Sequence, residues 1–147
     1  MLKIIPFRQE HIRYINVRDE EKCHANFDDI NIRNVYKAYE LVSLSFTGVD
    51  DGLVLGSAGV FEITPGVGEF WMLTSKDIKP KLSVLKAIKQ MFDIIINNTH
   101  FEKLQLHVDE NFTTSINMVK WLGFKEVGKD YDNYFQKEYL RFEYGCN

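Results

Sequence analysis

Cysteine is scarce in this chain, and the two present, Cys23 and Cys146, lie far apart with no Cys-x-x-Cys pair. That excludes a disulfide framework and leaves free thiols in a reducing compartment as the expectation. The four histidines, His11, His24, His100 and His107, show no ligand spacing to one another or to the cysteines, so no metal site is expected. With only three prolines and nine glycines among 147 residues, no linker or low-complexity tract divides the chain, and one domain over 1–147 is expected. Apolar runs are a few residues long, far below the ~20 a membrane-spanning helix takes. The start, Met1-Leu2-Lys3-Ile4-Ile5-Pro6, reads as a strand and lacks the basic, apolar and small-residue zones of a secretory signal. Positive charge is also short: 18 Lys+Arg against 21 Asp+Glu give −3, the wrong sign for a dedicated nucleic-acid binder. No P-loop occurs. Gly66-Val67-Gly68 precedes a strand, not a helix, and Gly56-Ser57-Ala58-Gly59 lacks the central nucleophile of Gly-x-Ser-x-Gly.

What remains is an ordinary globular composition. Apolar residues are 45% and charged residues 27%, enough for one substantial core without staples and too apolar for extended disorder. Leu2 to Phe7 reads as a first strand. From Arg8 to Tyr39 the pattern is helical but irregular: one short helix around His11–Ile15, one opened by Arg18-Asp19-Glu20-Glu21-Lys22, and one carrying Val35, Tyr36, Tyr39 and Leu41. Leu44 and Phe46 begin an alternating run, and Asp51-Gly52 is a tight-hairpin turn. In the next run, Leu53 to Ile63, Gly56 and Gly59 mark a bulge or the close approach of another backbone. A turn at Thr64–Gly68 leads to a third strand, Glu69–Thr74. Pro80 suits a first helical position, and Leu82, Leu85, Ile88, Phe92, Ile95 and Ile96 form one apolar stripe ended by Asn97-Asn98. Leu104, Leu106 and Val108 alternate with Gln105, His107 and Asp109 in a further strand. Thr113 or Thr114 is expected to cap a helix with Ile116, Val119 and Leu122, closed by a left-handed Gly123. Phe135–Tyr144 alternates as a final strand.

This order, with the meander Leu53–Thr74, the long helix, the strand Leu104–Val108, Asn111 and Trp121-Leu122-Gly123-Phe124, resembles the GNAT superfamily of acyl-CoA N-acyltransferases. More narrowly, Gly66–Leu73 and Asn111–Phe124 are similar to small phage-encoded GNAT-like proteins, including internal virion proteins. The resemblance implies an α+β fold (α/β/α layered): a mixed, mostly antiparallel sheet with a splayed parallel strand pair and flanking helices. It implies acetyl-CoA as the cofactor, its pantetheine arm pairing with the backbone of Trp71, Met72, Leu73 and Thr74. The phosphates would rest at the start of the long helix, near Lys76, Lys79 and Lys81, with Asn111 contacting the cofactor or ordering its loop. Charge supports that placement. Lys76 to Lys89 holds five lysines and one aspartate, a net +4, which leaves −7 for the rest of a chain totalling −3. A solvated lysine face is the competing reading.

Two departures from the family pattern are visible. Its phosphate loop carries glycines, whereas Ser75-Lys76-Asp77-Ile78-Lys79-Pro80-Lys81-Leu82-Ser83 has none. The Tyr that many members place four residues before the glycine of Leu-Gly-Phe is Val119 here, which cannot donate a proton. Glu69, ahead of Glu62, is the candidate base, against a reading as a solvent-facing or ion-paired carboxylate. His107 reads as structural, and Trp71 and Trp121 as core or cleft-wall aromatics. Two functions stay open: a phage-type N-acetyltransferase with a degenerate phosphate loop, or a non-catalytic GNAT-like virion or assembly protein. The expected setting is the host cytoplasm or the virion. The expected partners are an unnamed amine acceptor and a phage virion or host protein, with neither nucleic acid nor membrane. The aromatic tail (Tyr131, Tyr134, Phe135, Tyr139) is a candidate partner surface.

Overall fold

A computed structural model describes residues 1–78 and 82–146. Lys79, Pro80 and Lys81, on which the expected helix start and two of the expected phosphate contacts fall, lie outside the described residues. Strands β1 (Leu2–Pro6), β2 (Leu44–Asp50), β3 (Leu53–Thr64), β4 (Val67–Thr74), β5 (Lys103–Asp109), β6 (Lys125–Asp132) and β7 (Lys137–Gly145) are hydrogen-bonded in the order β1-β2-β3-β4-β5-β7-β6. β4–β5 is the parallel pair. Helices α1 (Ile30–Val42), α2 (Leu82–Asn97) and α3 (Thr113–Trp121) complete the mixed α+β fold. The chain forms two compact units, Met1–Phe61 with Trp71–Asn98, and Glu62–Phe70 with Thr99–Asn147.

In the first unit, Asp51 (φ 50°) and Gly52 (φ 80°) make the β2–β3 hairpin turn in which both central residues are left-handed. The glycines of β3 are sites of close approach, and Gly56 also borders a bulge. A Cβ on Gly56 would lie 2.8 Å from the Leu73 carbonyl oxygen, and one on Gly59 2.6 Å from Ser45 Cβ. Gly48 pairs with Gly56 and Val49 with Val54, so Leu55, next to Gly56, is the extra residue of a bulge on β3. The charged segment Asp19–His24 and the earlier Gln9–Tyr14 are 3₁₀ turns, shorter and tighter than the helices expected. Asp29 caps α1, its carboxylate accepting the Asn31 N–H at 2.9 Å. Ile32 and Tyr36 are the buried residues of α1, while Val35 and Leu41 are exposed. Along α2 the stripe is carried by Met91, Phe92 and Ile95, and Leu82 at its start is exposed.

In the second unit, β5 and β7 pair over seven registers, so Leu104, Leu106 and Val108 share a face with Tyr144, Phe142 and Leu140. Leu104 and Phe142 have no exposed surface. Full burial of side chains this size contributes about 1.5–3 kcal/mol each. Phe112, with no side-chain capping bond, occupies the position before α3, so neither Thr113 nor Thr114 is its cap. The Leu-Gly-Phe sequence is the end of that helix. The Gly123 N–H donates to the Lys120 carbonyl and the Phe124 N–H to the Val119 carbonyl, with Gly123 at φ 106°, a Schellman closure. It drops Leu122 and Phe124 into the core, while Trp121, expected in the core or on a cleft wall, is 51% exposed and so not a core residue.

Candidate active site

β4 changes character halfway along its length. Val67, Gly68 and Glu69 pair with Lys103, Leu104 and Gln105 of β5, and the parallel register stops there. Beyond it, the Ser75 N–H donates to the Leu55 carbonyl of β3 at 2.8 Å. Strand groups alternate in direction, so Leu73 and Ser75 face β3, and the backbone N–H and C=O of Met72 and Thr74 face the edge, with no strand partner among the described residues. Side chains here are committed elsewhere. Trp71 packs against Phe7, Tyr36 and Tyr39 at centroid distances of 5.0, 5.9 and 4.8 Å, and Leu73 is buried. Met72 and Thr74 line a small apolar cavity of about 50 Å³ in the first unit, and Thr74 Oγ1 accepts from Arg18 at 3.1 Å. The backbone of Met72 and Thr74 is therefore what this stretch can offer a ligand, whereas Trp71 and Leu73, expected to share in it, turn their backbone groups toward β3.

The turn after β4 is closed on itself. The Lys76 N–H donates to the Asn16 carbonyl (2.8 Å), the Asp77 N–H to Ser75 Oγ (3.0 Å) and the Ile78 N–H to the Ser75 carbonyl (3.2 Å). Asn16 Nδ2 holds the Asp77 carboxylate at 2.9 Å, and Ser75 is fully buried. With the Ser75–Leu55 bond, all four amides from Ser75 to Ile78 are engaged within the protein. Tested against acetyl-CoA, the strand edge fits a pantetheine arm, whereas these four amides do not fit a pyrophosphate. Lys76 is exposed and leaves its side chain to face an anion.

Glu69 sits at the last paired register of β4. Its two oxygens have separate partners on β5: Gln105 Nε2 lies 3.1 Å from Oε2, and His107 Nδ1 lies 2.9 Å from Oε1. The other ring nitrogen of His107 is 2.9 Å from Asp130 Oδ2 on β6, and Arg141 of β7 donates to both Asp130 oxygens at 2.9 and 2.8 Å. The Glu69 hydrogen bond, chiefly, raises the His107 pKa above its ordinary value; burial opposes this and Asp130 adds to it. Asp130 is held below the ordinary carboxylate value, first by its bond to His107. The Glu69 side chain is 17% exposed, reachable from solvent yet fixed.

Asn111 is exposed in the β5–α3 connection, its backbone N–H donating to Asp109 Oδ1 at 2.9 Å. Asp109, nearly buried, also accepts from Lys137 at 3.2 Å. Val119 is 2% exposed, a core residue where many superfamily members place the acid. Of the tail aromatics, Tyr131 and Tyr134 are exposed and Tyr139 is buried. Sequence reasoning reached Glu69 and His107 but missed Gln105, Asp130 and Arg141. The polar alternation on β5 pointed to Gln105, whereas Asp130 and Arg141 reach His107 only through the β5–β7–β6 register.

No protein-family model matches the chain, and no curated protein does. Solved structures do. A chimera of the Vibrio cholerae spermidine N-acetyltransferase SpeG and hSSAT matches with a TM-score of 0.69 at 18% identity, covering 99% of this chain and 95% of that one. V. cholerae SpeG in complex with manganese ions matches at 0.67 and 16% identity, over 99% and 92% of the two chains. The dodecameric V. cholerae enzyme in an intermediate state matches at 0.68 and 15%, over 99% and 94%. At this identity the likeness establishes the fold, which is the GNAT arrangement.

Proposed function

We propose that the protein is an acyl-CoA-dependent N-acyltransferase that moves an acetyl group from acetyl-CoA to an amine, with Glu69 as the proton acceptor. The observation that carries this reading is Glu69 itself, a carboxylate fixed by Gln105 and His107 at the last register that β4 shares with β5. Bound acetyl-CoA supplies the activated thioester carbon. The main-chain N–H groups of Met72 and Thr74 would hold the pantetheine arm and polarise the thioester carbonyl. Glu69 takes the amine proton directly or through one water, while Gln105 and His107 hold the carboxylate in a single orientation. Val119, buried at the position of the family's acid, has no proton to give a departing thiolate. The positive charges of Lys76, Lys79 and Lys81 would attract the phosphates, and Asn111 would contact the acyl donor or order its own loop. Spermidine is the first acceptor to try, because the similar solved structures are spermidine N-acetyltransferases.

A second reading has its own support. Engaged amides from Ser75 to Ile78 and the buried Val119 favour a GNAT-like scaffold without catalysis. In the phage setting suggested by Gly66–Leu73 and Asn111–Phe124, such a scaffold would serve virion assembly from the host cytoplasm. Thermal unfolding with and without acetyl-CoA separates the two. At 100 times Kd the ligand adds about 2.7 kcal/mol of stability. A folded sample that does not shift in millimolar acetyl-CoA supports the scaffold, and mass spectrometry of purified particles then tests for packaging.

A further inference from the structure

We propose that His107 is the positioning residue for Glu69, an imidazolium bridge that ties the carboxylate of β4 to Asp130 of β6. The proposal rests on the reading of Glu69 as proton acceptor. Both ring nitrogens lie 2.9 Å from a carboxylate oxygen, Nδ1 from Glu69 and Nε2 from Asp130. An ionised carboxylate only accepts, and a neutral imidazole has a single N–H, so a neutral ring would press a lone pair against one of the two anions. The doubly protonated ring donates to both.

The far end of the bridge is held as firmly as the near end. Arg141 binds both oxygens of Asp130 and is the register partner of His107 on one side and of Gly128 on the other. A Cβ on Gly128 would lie 3.0 Å from Arg141 Nη2, so the glycine leaves room for the guanidinium above the strand. The chain of contacts runs Arg141–Asp130–His107–Glu69, alternating in charge and balanced overall. The charged groups bonded to or paired in register with the ring are Glu69 from β4, Asp130 from β6 and Arg141 from β7. On its own strand Asp109 is taken up by Lys137 and the Asn111 N–H, and Gln105 is neutral. Gln105 fills the second oxygen of Glu69, which fixes the carboxylate plane. Rotation of that plane would misplace the proton acceptor, and a misplacement near 1 Å costs about 100-fold in rate.

The test combines ring ¹⁵N–¹H NMR titration with acetyl-transfer kinetics on the full chain, comparing wild type with E69Q, D130N, H107L and H107Q. Both ring nitrogens of His107 are expected to carry protons at neutral pH, with a midpoint above the ordinary ~6.5 that falls in E69Q and in D130N. H107L is expected to lose about 10- to 100-fold in kcat with KM for acetyl-CoA unchanged. H107Q, which can still donate to Glu69, recovers part of that loss; it and D130N carry the test if H107L does not fold. A midpoint unmoved by E69Q overturns the bridge. An inactive E69Q beside a fully active H107L overturns the positioning role and leaves the Glu69 reading standing. Wild type without turnover, or E69Q as active as wild type, overturns the Glu69 reading and the role of His107 with it.

Discussion

Replacing Gly59 with alanine puts a methyl group where β2, β3 and Trp71 already meet. The added Cβ would stand 2.6 Å from Ser45 Cβ, 2.9 Å from the Leu44 carbonyl oxygen and 2.9 Å from Trp71 Nε1. None of these is the end of a flexible chain. Two are fixed by the β2–β3 ladder, and the indole is wedged among Phe7, Tyr36 and Tyr39. Trp71 Nε1 is buried without a hydrogen-bond partner among the described residues, so packing holds the ring there. Overpacking of this kind costs about 1–3 kcal/mol, and the lower entropy of the unfolded chain returns about 0.4–1 kcal/mol. Gly48 is the control. A Cβ there meets Ile4 Cδ1 at 3.8 Å and Leu2 Cδ1 at 4.0 Å, ordinary contacts on the wall of the apolar cavity. Urea unfolding at matched m-values should find G59A less stable than wild type by about 1–2 kcal/mol. G48A should be neutral or stabilised by up to about 1 kcal/mol. G59A as stable as G48A would refute close approach as the reason for the glycine.

Two further outcomes follow from single contacts. D29A removes the side chain that accepts the Asn31 N–H at the start of α1 and should lower stability by about 1 kcal/mol, with D29N largely restoring it; an unchanged urea midpoint would contradict the capping role. His107 has a raised pKa in the folded state, caused first by Glu69, so its contribution to stability is full below its unfolded value of ~6.5 and fades as pH rises through the folded value. The stability gap between wild type and H107Q should therefore be widest in mildly acidic buffer and close at alkaline pH. A gap that is flat across that window would contradict the charged bridge.

Local features were legible in the residues. Asp51-Gly52 demanded a left-handed turn, the polar alternation of Gln105, His107 and Asp109 marked a half-buried strand, and Leu-Gly-Phe encoded a helix closure. Harder to read were contacts joining distant segments. Asn16 holds the Asp77 turn from 61 residues away, and Asp130 meets His107 only because β7 lies between β5 and β6. The start of α3 misled for a local reason. Two threonines look like caps, but the chain turns one residue earlier, where the Phe112 N–H returns to the Asp109 carbonyl. Trp121 is not the core residue it could have been, since an aromatic beside a buried neighbour at a helix end points outward. Glu69 was selected by resemblance, and its facing emerged only with Gln105 and His107 in place.

The measurement that bears most directly on the account is thiol release from acetyl-CoA, followed with and without a primary amine such as spermidine, for wild type and E69Q. The account predicts release by wild type that requires the amine and falls by about 100-fold or more in E69Q. Equal release with and without amine, or E69Q as fast as a competent wild type, would contradict it.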